Sequence, residues 1–213
     1  MQPGPRGASA LQGTGGTVGA VPAAAAARPE ESTVHDVPVQ APADVTRWPW
    51  LPEWFRAPSC LELPTGHHLR PLRTADADLL LTALQGSSAR LRTVLGDARG
   101  WPPRTVATTG VHHELVELET RAARREGFRY GLFADDEQEL LGCAEVEPSS
   151  KLGADADVWW WVVDALVGSR VEAALGPALG SWTARAWPFA RPRLVGPGGT
   201  CTWQEWTLLP DRR

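Results

Sequence analysis

Apolar and polar positions alternate over His67-His68-Leu69-Arg70-Pro71-Leu72, which predicts a short first strand. Thr74 follows as a helix N-cap, with Asp76 and Asp78 in the first turn, where the helix dipole favours carboxylates. That helix is expected to run to about Leu84. Ser87 or Ser88 then caps a second helix carrying Leu91, Val94 and Leu95 and closed by Gly96. After Trp101-Pro102-Pro103, a third helix opens near Thr108 or Thr109. Its apolar stripe is Val111, Leu115, Leu118 and Ala122, with Glu117 and Arg121 as an i,i+4 pair on the wet side. Gly127 is the expected stop.

Beyond it the period changes from helical to two. Residues 128–133 read as a strand, 134–138 as a charged turn and 139–147 as the returning strand of a hairpin. A further strand over 155–163 contains Trp159-Trp160-Trp161, whose side chains must point to alternate faces, so both faces of the sheet need cover. Ser169 and Glu172 form a Ser-x-x-Glu capping box that opens a helix through Ala173, Leu175, Leu179 and Trp182, with Pro177 inside it. Residues 193–195 form a last strand, and Thr202 with Glu205 caps a terminal helical turn stopped by Pro210. Strand, helices, three strands, helix, strand departs from strict alternation. The order predicts an α/β protein of the α+β kind, with a mixed, mostly antiparallel sheet and helices on both faces.

Composition sets the boundaries. The 16 aromatic residues of the 213-residue chain all lie at Trp48 or beyond, and the first 47 positions are dominated by Ala, Gly, Pro, Val and Thr. Such a segment buries too little apolar surface to offset its ordering entropy. Residues 1–47 are therefore expected to be a disordered tail, 48–66 a Trp/Pro-rich strap laid by Trp48, Trp50, Trp54 and Phe55 over an apolar face, and 67–213 the domain. The formal charge of −4 excludes the basic footprint of a nucleic-acid binder. Three cysteines, Cys60, Cys143 and Cys201, are far apart and form no CxxC pair, which indicates neither a disulfide framework nor a zinc ribbon. With no run of eighteen apolar residues and no secretory pattern, the expectation is a cytoplasmic protein with no membrane partner and no metal. His113-Glu114-Leu115-Val116-Glu117 lacks the second histidine of a zinc-protease helix.

Three segments carry a resemblance: Leu69-Arg70-Pro71-Leu72-Arg73-Thr74-Ala75-Asp76-Ala77, the hairpin end Leu140-Leu141-Gly142-Cys143-Ala144-Glu145-Val146, and the strand 158–163 running into a helix. In this order and spacing, residues 67–196 resemble the GNAT superfamily of acyl-CoA N-acyltransferases. The resemblance implies an N-acetyltransferase fold in which acetyl-CoA, as co-substrate, enters where the fourth strand and the following helix splay. The pantetheine then pairs with strand backbone, and the pyrophosphate rests on amides at the helix N-terminus. It places these contacts at Trp161, Val162, Val163, Gly168, Ser169 and Arg170. The family's Arg/Gln-x-x-Gly-x-Gly/Ala loop reads here as Gly168 followed by Ser169 and Arg170, with Asp164 and Glu172 nearby. Weak acetyl-CoA binding is therefore expected, because Ser169 and Glu172 suit the same amides.

By the same resemblance the reaction is acyl transfer to a small-molecule amine, with Glu145 as general base. Strand alternation puts Cys143, Glu145 and Glu147 on one face; read without the resemblance, both glutamates are solvated strand-end residues. The family's tyrosine acid has no counterpart, since the single tyrosine, Tyr130, lies on an earlier strand and 18 residues follow Val195. The alternative is a non-catalytic protein of the same fold that binds a small molecule or protein partner in a Trp-lined cleft. Exchange of the Trp-rich arm would make a homodimer.

Overall fold

The structure, a computed structural model, describes residues 50–212. The expectations for residues 1–47 and for Trp48 lie outside the described residues. Six strands, β1 (Leu61–Leu63), β2 (His67–Pro71), β3 (Phe128–Ala134), β4 (Gly142–Pro148), β5 (Ala156–Val162) and β6 (Pro192–Val195), lie side by side in chain order. Every neighbouring pair is antiparallel except β5 and β6, which run parallel. A parallel pair needs a crossover. Helix α3 (Arg170–Ala186) supplies it, while α1 (Ala77–Arg99) and α2 (Thr108–Ala123) connect β2 to β3 and α4 (Trp203–Leu208) follows β6. No helix among the described residues is long and apolar enough to cross a membrane.

The sheet is covered on both faces, as the tryptophan run requires. Trp159 and Trp161 pack with Leu80, Leu84, Leu91 and Leu95 of α1, Leu115 of α2 and Trp203 and Trp206 of α4. Val158, Trp160 and Val162 pack on the other face with Leu175, Leu179 and Trp182 of α3. Helix α1 corrects the expected pair of helices: it runs unbroken for 23 residues through Gly86-Ser87-Ser88. Four leucines on one stripe hold both halves to the sheet, which outweighs the roughly 1 kcal/mol that a mid-helix glycine costs. Ser87 caps something else, since its Oγ accepts the Asp164 N–H at 3.0 Å and closes the turn after β5. Helix α2 ends at Ala123, and Arg125, at φ +59°, makes the left-handed turn expected of Gly127.

The strap is anchored by Leu51 and Phe55, both buried, and it contributes the edge strand β1, which its sequence did not announce. A turn from the Phe55 N–H to the Pro52 carbonyl, 3.0 Å, brings these two anchors to the same side. Trp50 is half-buried and stacks on Phe189 at 5.4 Å, but Trp54 is 74% exposed, which corrects its assignment as an anchor. Arg125 fastens the strap by donating to the carbonyls of Pro52 and Glu53. Phe55→Ala should therefore cost about 3 to 5 kcal/mol. Trp54→Ala should stay within about 0.5 kcal/mol in the same urea titration.

Ahead of α1, the buried Asp76 carboxylate accepts two bonds from the Arg70 guanidinium, both 2.9 Å, and the Arg73 N–H at 2.8 Å. Burial pushes its pKa up, but the Arg70 and Arg73 bonds outweigh burial and hold it below the usual carboxylate range. Glu137 is lowered by its bonds from His68 and Arg70. A depressed folded pKa means stability that is present above the unfolded value and lost as pH falls through the folded one. Stability is thus expected to drop below about pH 4, and Asp76→Asn to flatten that acid limb in pH-dependent denaturation.

Candidate functional site

β5 and β6 pair from Ala156↔Pro192 to Trp159↔Val195 and then part. The chain turns away at Gly196, leaving residues 160–162 without a strand neighbour on that side. The turn is held by the Gly196 N–H to Cys201 O, the Gly199 N–H to Gly196 O and the Cys201 N–H to Leu194 O, each 3.0 Å. It needs glycine at 199, where a Cβ would sit 2.4 Å from the Leu194 carbonyl oxygen. Beside the divergence opens a cavity of about 530 Å³. Its walls are α1 through Thr93, Val94 and Ala98, the 196–199 loop, and α4 through Trp203, Gln204 and Thr207. None of the lining residues carries a charged side chain.

The residues singled out for coenzyme binding fall in two groups. Trp161, Val162 and Val163 end β5: Trp161 is buried against Trp101 at 5.7 Å, Val162 is buried on the α3 face, and Val163 is half-buried. The Val162 carbonyl accepts from Arg90 of α1, whose Nε also donates to Asp164 at 2.6 Å. Arg90 was not legible in the sequence, for it lies 74 positions from Asp164 with no local signal joining them. Gly168, Ser169 and Arg170 open α3. Gly168, at φ +74°, donates its N–H to Glu172 Oε2 at 2.6 Å, and the Glu172 N–H bonds Ser169 Oγ at 3.3 Å. Ser169 thus caps the helix as expected, but Glu172 reaches one residue further back, to Gly168, and the Ser169 N–H goes to the Leu166 carbonyl, so the box is not closed on the N-cap itself. Arg170 is exposed.

Glu145 sits on the α1/α2 face of β4, opposite Arg129 of β3 and Trp159 of β5. It is 3% exposed and Glu147 is also buried, which corrects the reading of both as solvated strand ends. Arg129 donates to Glu145 Oε2 through Nε at 2.9 Å and Nη2 at 2.8 Å, and to Glu114 through Nη1. Arg121 lies 3.5 Å from Glu145 Oε1 and also pairs with Glu147, which Arg99 bonds directly. Three arginines and three glutamates thereby balance one another beneath α1 and α2. Burial lowers the pKa of Arg129, but the charges of Glu145 and Glu114 more than reverse it. Burial, then the Glu145 charge, pushes Glu147 up against the pull of Arg99. A carboxylate whose oxygens are engaged by two guanidiniums is well placed as a strut between β3, β4 and α2.

Burial pushes the Cys143 thiol far above its ordinary range, which suits an inert core thiol. Tyr130 is buried and donates its hydroxyl to the Pro58 carbonyl at 2.9 Å. Among the described residues, no cluster of three His, Cys, Asp or Glu could hold a metal ion.

No family model matches the chain, and no curated protein matches it. Solved structures do. RimL, described as a ribosomal L7/L12 alpha-N-protein acetyltransferase in complex with coenzyme A, is 15% identical, with 63% of this chain and 73% of that one covered at a TM-score of 0.52. RimJ of Mycobacterium smegmatis, in complex with a CoA-disulfide, is 19% identical over 68% and 69% at 0.51. The ribosomal-protein-S5-alanine acetyltransferase of Vibrio fischeri is 14% identical over 63% and 72% at 0.50. Together with the element order and the parting of β5 from β6, these likenesses show that the chain has the fold of the GNAT superfamily.

Proposed function

We propose that the chain is an N-acyltransferase, moving an acyl group from a thioester to an amine where β5 and β6 diverge. The observation that carries this is the edge of β5 left without a strand neighbour beside an uncharged cavity of about 530 Å³, within the size range of small-ligand sites. Such a wall suits a thioester and its arm. In the reaction the amine lone pair attacks the thioester carbonyl, the C–S bond breaks, the sulfur leaves as thiolate, and the nitrogen gives its proton to solvent.

The lone pair must be free before attack. The cavity lining offers no carboxylate to take a proton or to hold an ammonium, and Glu145 is engaged by Arg129 and Arg121. An acceptor that is partly neutral near pH 7.5 meets this condition. An α-amine of pKa about 7.7 to 8.0 is roughly a third neutral there, and a lysine ammonium of about 10.4 only about one part in a thousand. The acceptor is accordingly an α-amine or another amine of low pKa, a class that covers chain N-termini and suitable small molecules. The description of RimL as an alpha-N-protein acetyltransferase supports that choice.

A second reading, binding without catalysis, is favoured by the hold of Arg90 on the Val162 carbonyl. Release of free thiol from S-acetyl donors, with one peptide bearing a free α-amine and one bearing only a lysine amine, separates the two. Acyl transfer predicts thiol release that depends on the α-amine and rises with pH to about 8. Ligand binding with no amine-dependent thiol supports the second reading.

A further inference from the structure

We infer that the donor is recognised through its acyl-pantetheine arm and not through a nucleotide diphosphate, so that a pantetheine thioester serves about as well as a coenzyme A thioester. The inference rests on the acyl-transfer reading. A diphosphate at a helix start needs a row of free amides. Of the amides from 167 to 172, that of Val167 goes to the Asp164 carbonyl, Gly168 to the Glu172 carboxylate, Ser169 to the Leu166 carbonyl and Glu172 to the Ser169 hydroxyl. Only Arg170 and Val171 keep theirs.

Charge adds to this. The Glu172 carboxylate holds the Gly168 amide, so a phosphate at that amide must displace one anion to bind as another. Asp164 stands at the end of β5 with its charge met by Arg90. Arg90 is thereby committed to a carboxylate and a carbonyl, leaving Arg170 as the one cation at the helix start with no carboxylate partner among the described residues. Orphan amides and a dipole end make an anion site when they are open; here the chain's own carbonyls and side chains take four of the six amides.

The cavity has the opposite character. Its wall is uncharged, and the Gln204 side-chain amide makes no hydrogen bond among the described residues. A pantetheine arm, neutral, with two amides and a hydroxyl, matches such a wall; a diphosphate does not.

Calorimetric titration of the full chain with pantetheine, coenzyme A and adenosine 3′,5′-bisphosphate tests the inference without requiring turnover. The expected result is pantetheine and coenzyme A affinities within about threefold of each other and no bisphosphate binding at millimolar concentration. Glu172→Gln, which weakens the hold on the Gly168 amide and removes a charge, should raise coenzyme A affinity and leave pantetheine unchanged. Coenzyme A binding about a hundredfold tighter than pantetheine, bisphosphate that competes with coenzyme A, or no binding by any of the three would overturn it. Pantetheine binding at the predicted ratio with no turnover of either S-acetyl thioester would keep arm recognition and overturn the acyl-transfer reading.

Discussion

Replacing Arg129 by methionine is expected to remove about 3 to 5 kcal/mol of stability, the cost of leaving buried charge without its partner. The Arg129 side chain is 8% exposed and lies between Glu145, itself 3% exposed, and Glu114. Its guanidinium also lies 5.5 Å from the Trp101 ring centroid, so truncation loses packing along with charge. The loss should come from the stranded carboxylates more than from any intrinsic strength of the pairs. Arg129→Met combined with Glu145→Met is therefore expected to recover a substantial part of it, because well-packed apolar replacements of buried ion pairs are often neutral. Urea denaturation of the two variants measures the difference. A single mutant within about 1 kcal/mol of the parent would show that the cluster is hydrated. The same geometry means that Glu145→Gln must be judged by stability as well as by rate, since loss of activity alone would not separate a base from a strut.

Trp160→Ala should cost a comparable 3 to 5 kcal/mol, the range for emptying a large aromatic site in a closed core. Trp160 is 2% exposed, and its ring is pressed between α3 and the loop after β6. A Cβ on Gly176 would approach it to 3.2 Å, and one on Gly196 to 3.5 Å. The ring therefore supports the 196–199 loop that forms one wall of the cavity. Removing it should abolish pantetheine binding at temperatures where the variant is still folded. Trp160→Phe is expected to lose far less, because the indole N–H of Trp160 has no hydrogen-bond partner to forfeit. Equal losses in the two variants would place the support elsewhere.

Much of the fold is legible because period two and period 3.6 leave different marks, and the switch after α2 is sharp. The Ser169 N-cap and the Thr202 capping box were readable because their partners lie within three residues. Local signals misled where tertiary packing overrode them: Gly86-Ser87-Ser88 looks like a helix boundary, yet the leucine stripe on either side keeps α1 unbroken. In the strap, four aromatics in eight residues promised anchors, but a single turn at Pro52 decides that Phe55 goes in and Trp54 out. The chemistry of the site was least legible. Alternation placed Glu145 on its face, but its partners come from β3 and α2, and Arg90 comes from the middle of α1. Pairings across elements leave no spacing to read.

The most direct test is to add S-acetylpantetheine to isotope-labelled protein and follow backbone amide shifts by NMR. The structure predicts perturbations at residues 160–162 and at Gly196, Gly198 and Gly199 that saturate together, with residues 168–172 unmoved, and the same pattern with acetyl-CoA. Shifts centred on 168–172 with acetyl-CoA, or none at 196–199 with either thioester, would contradict the placement of the site at the divergence of β5 and β6.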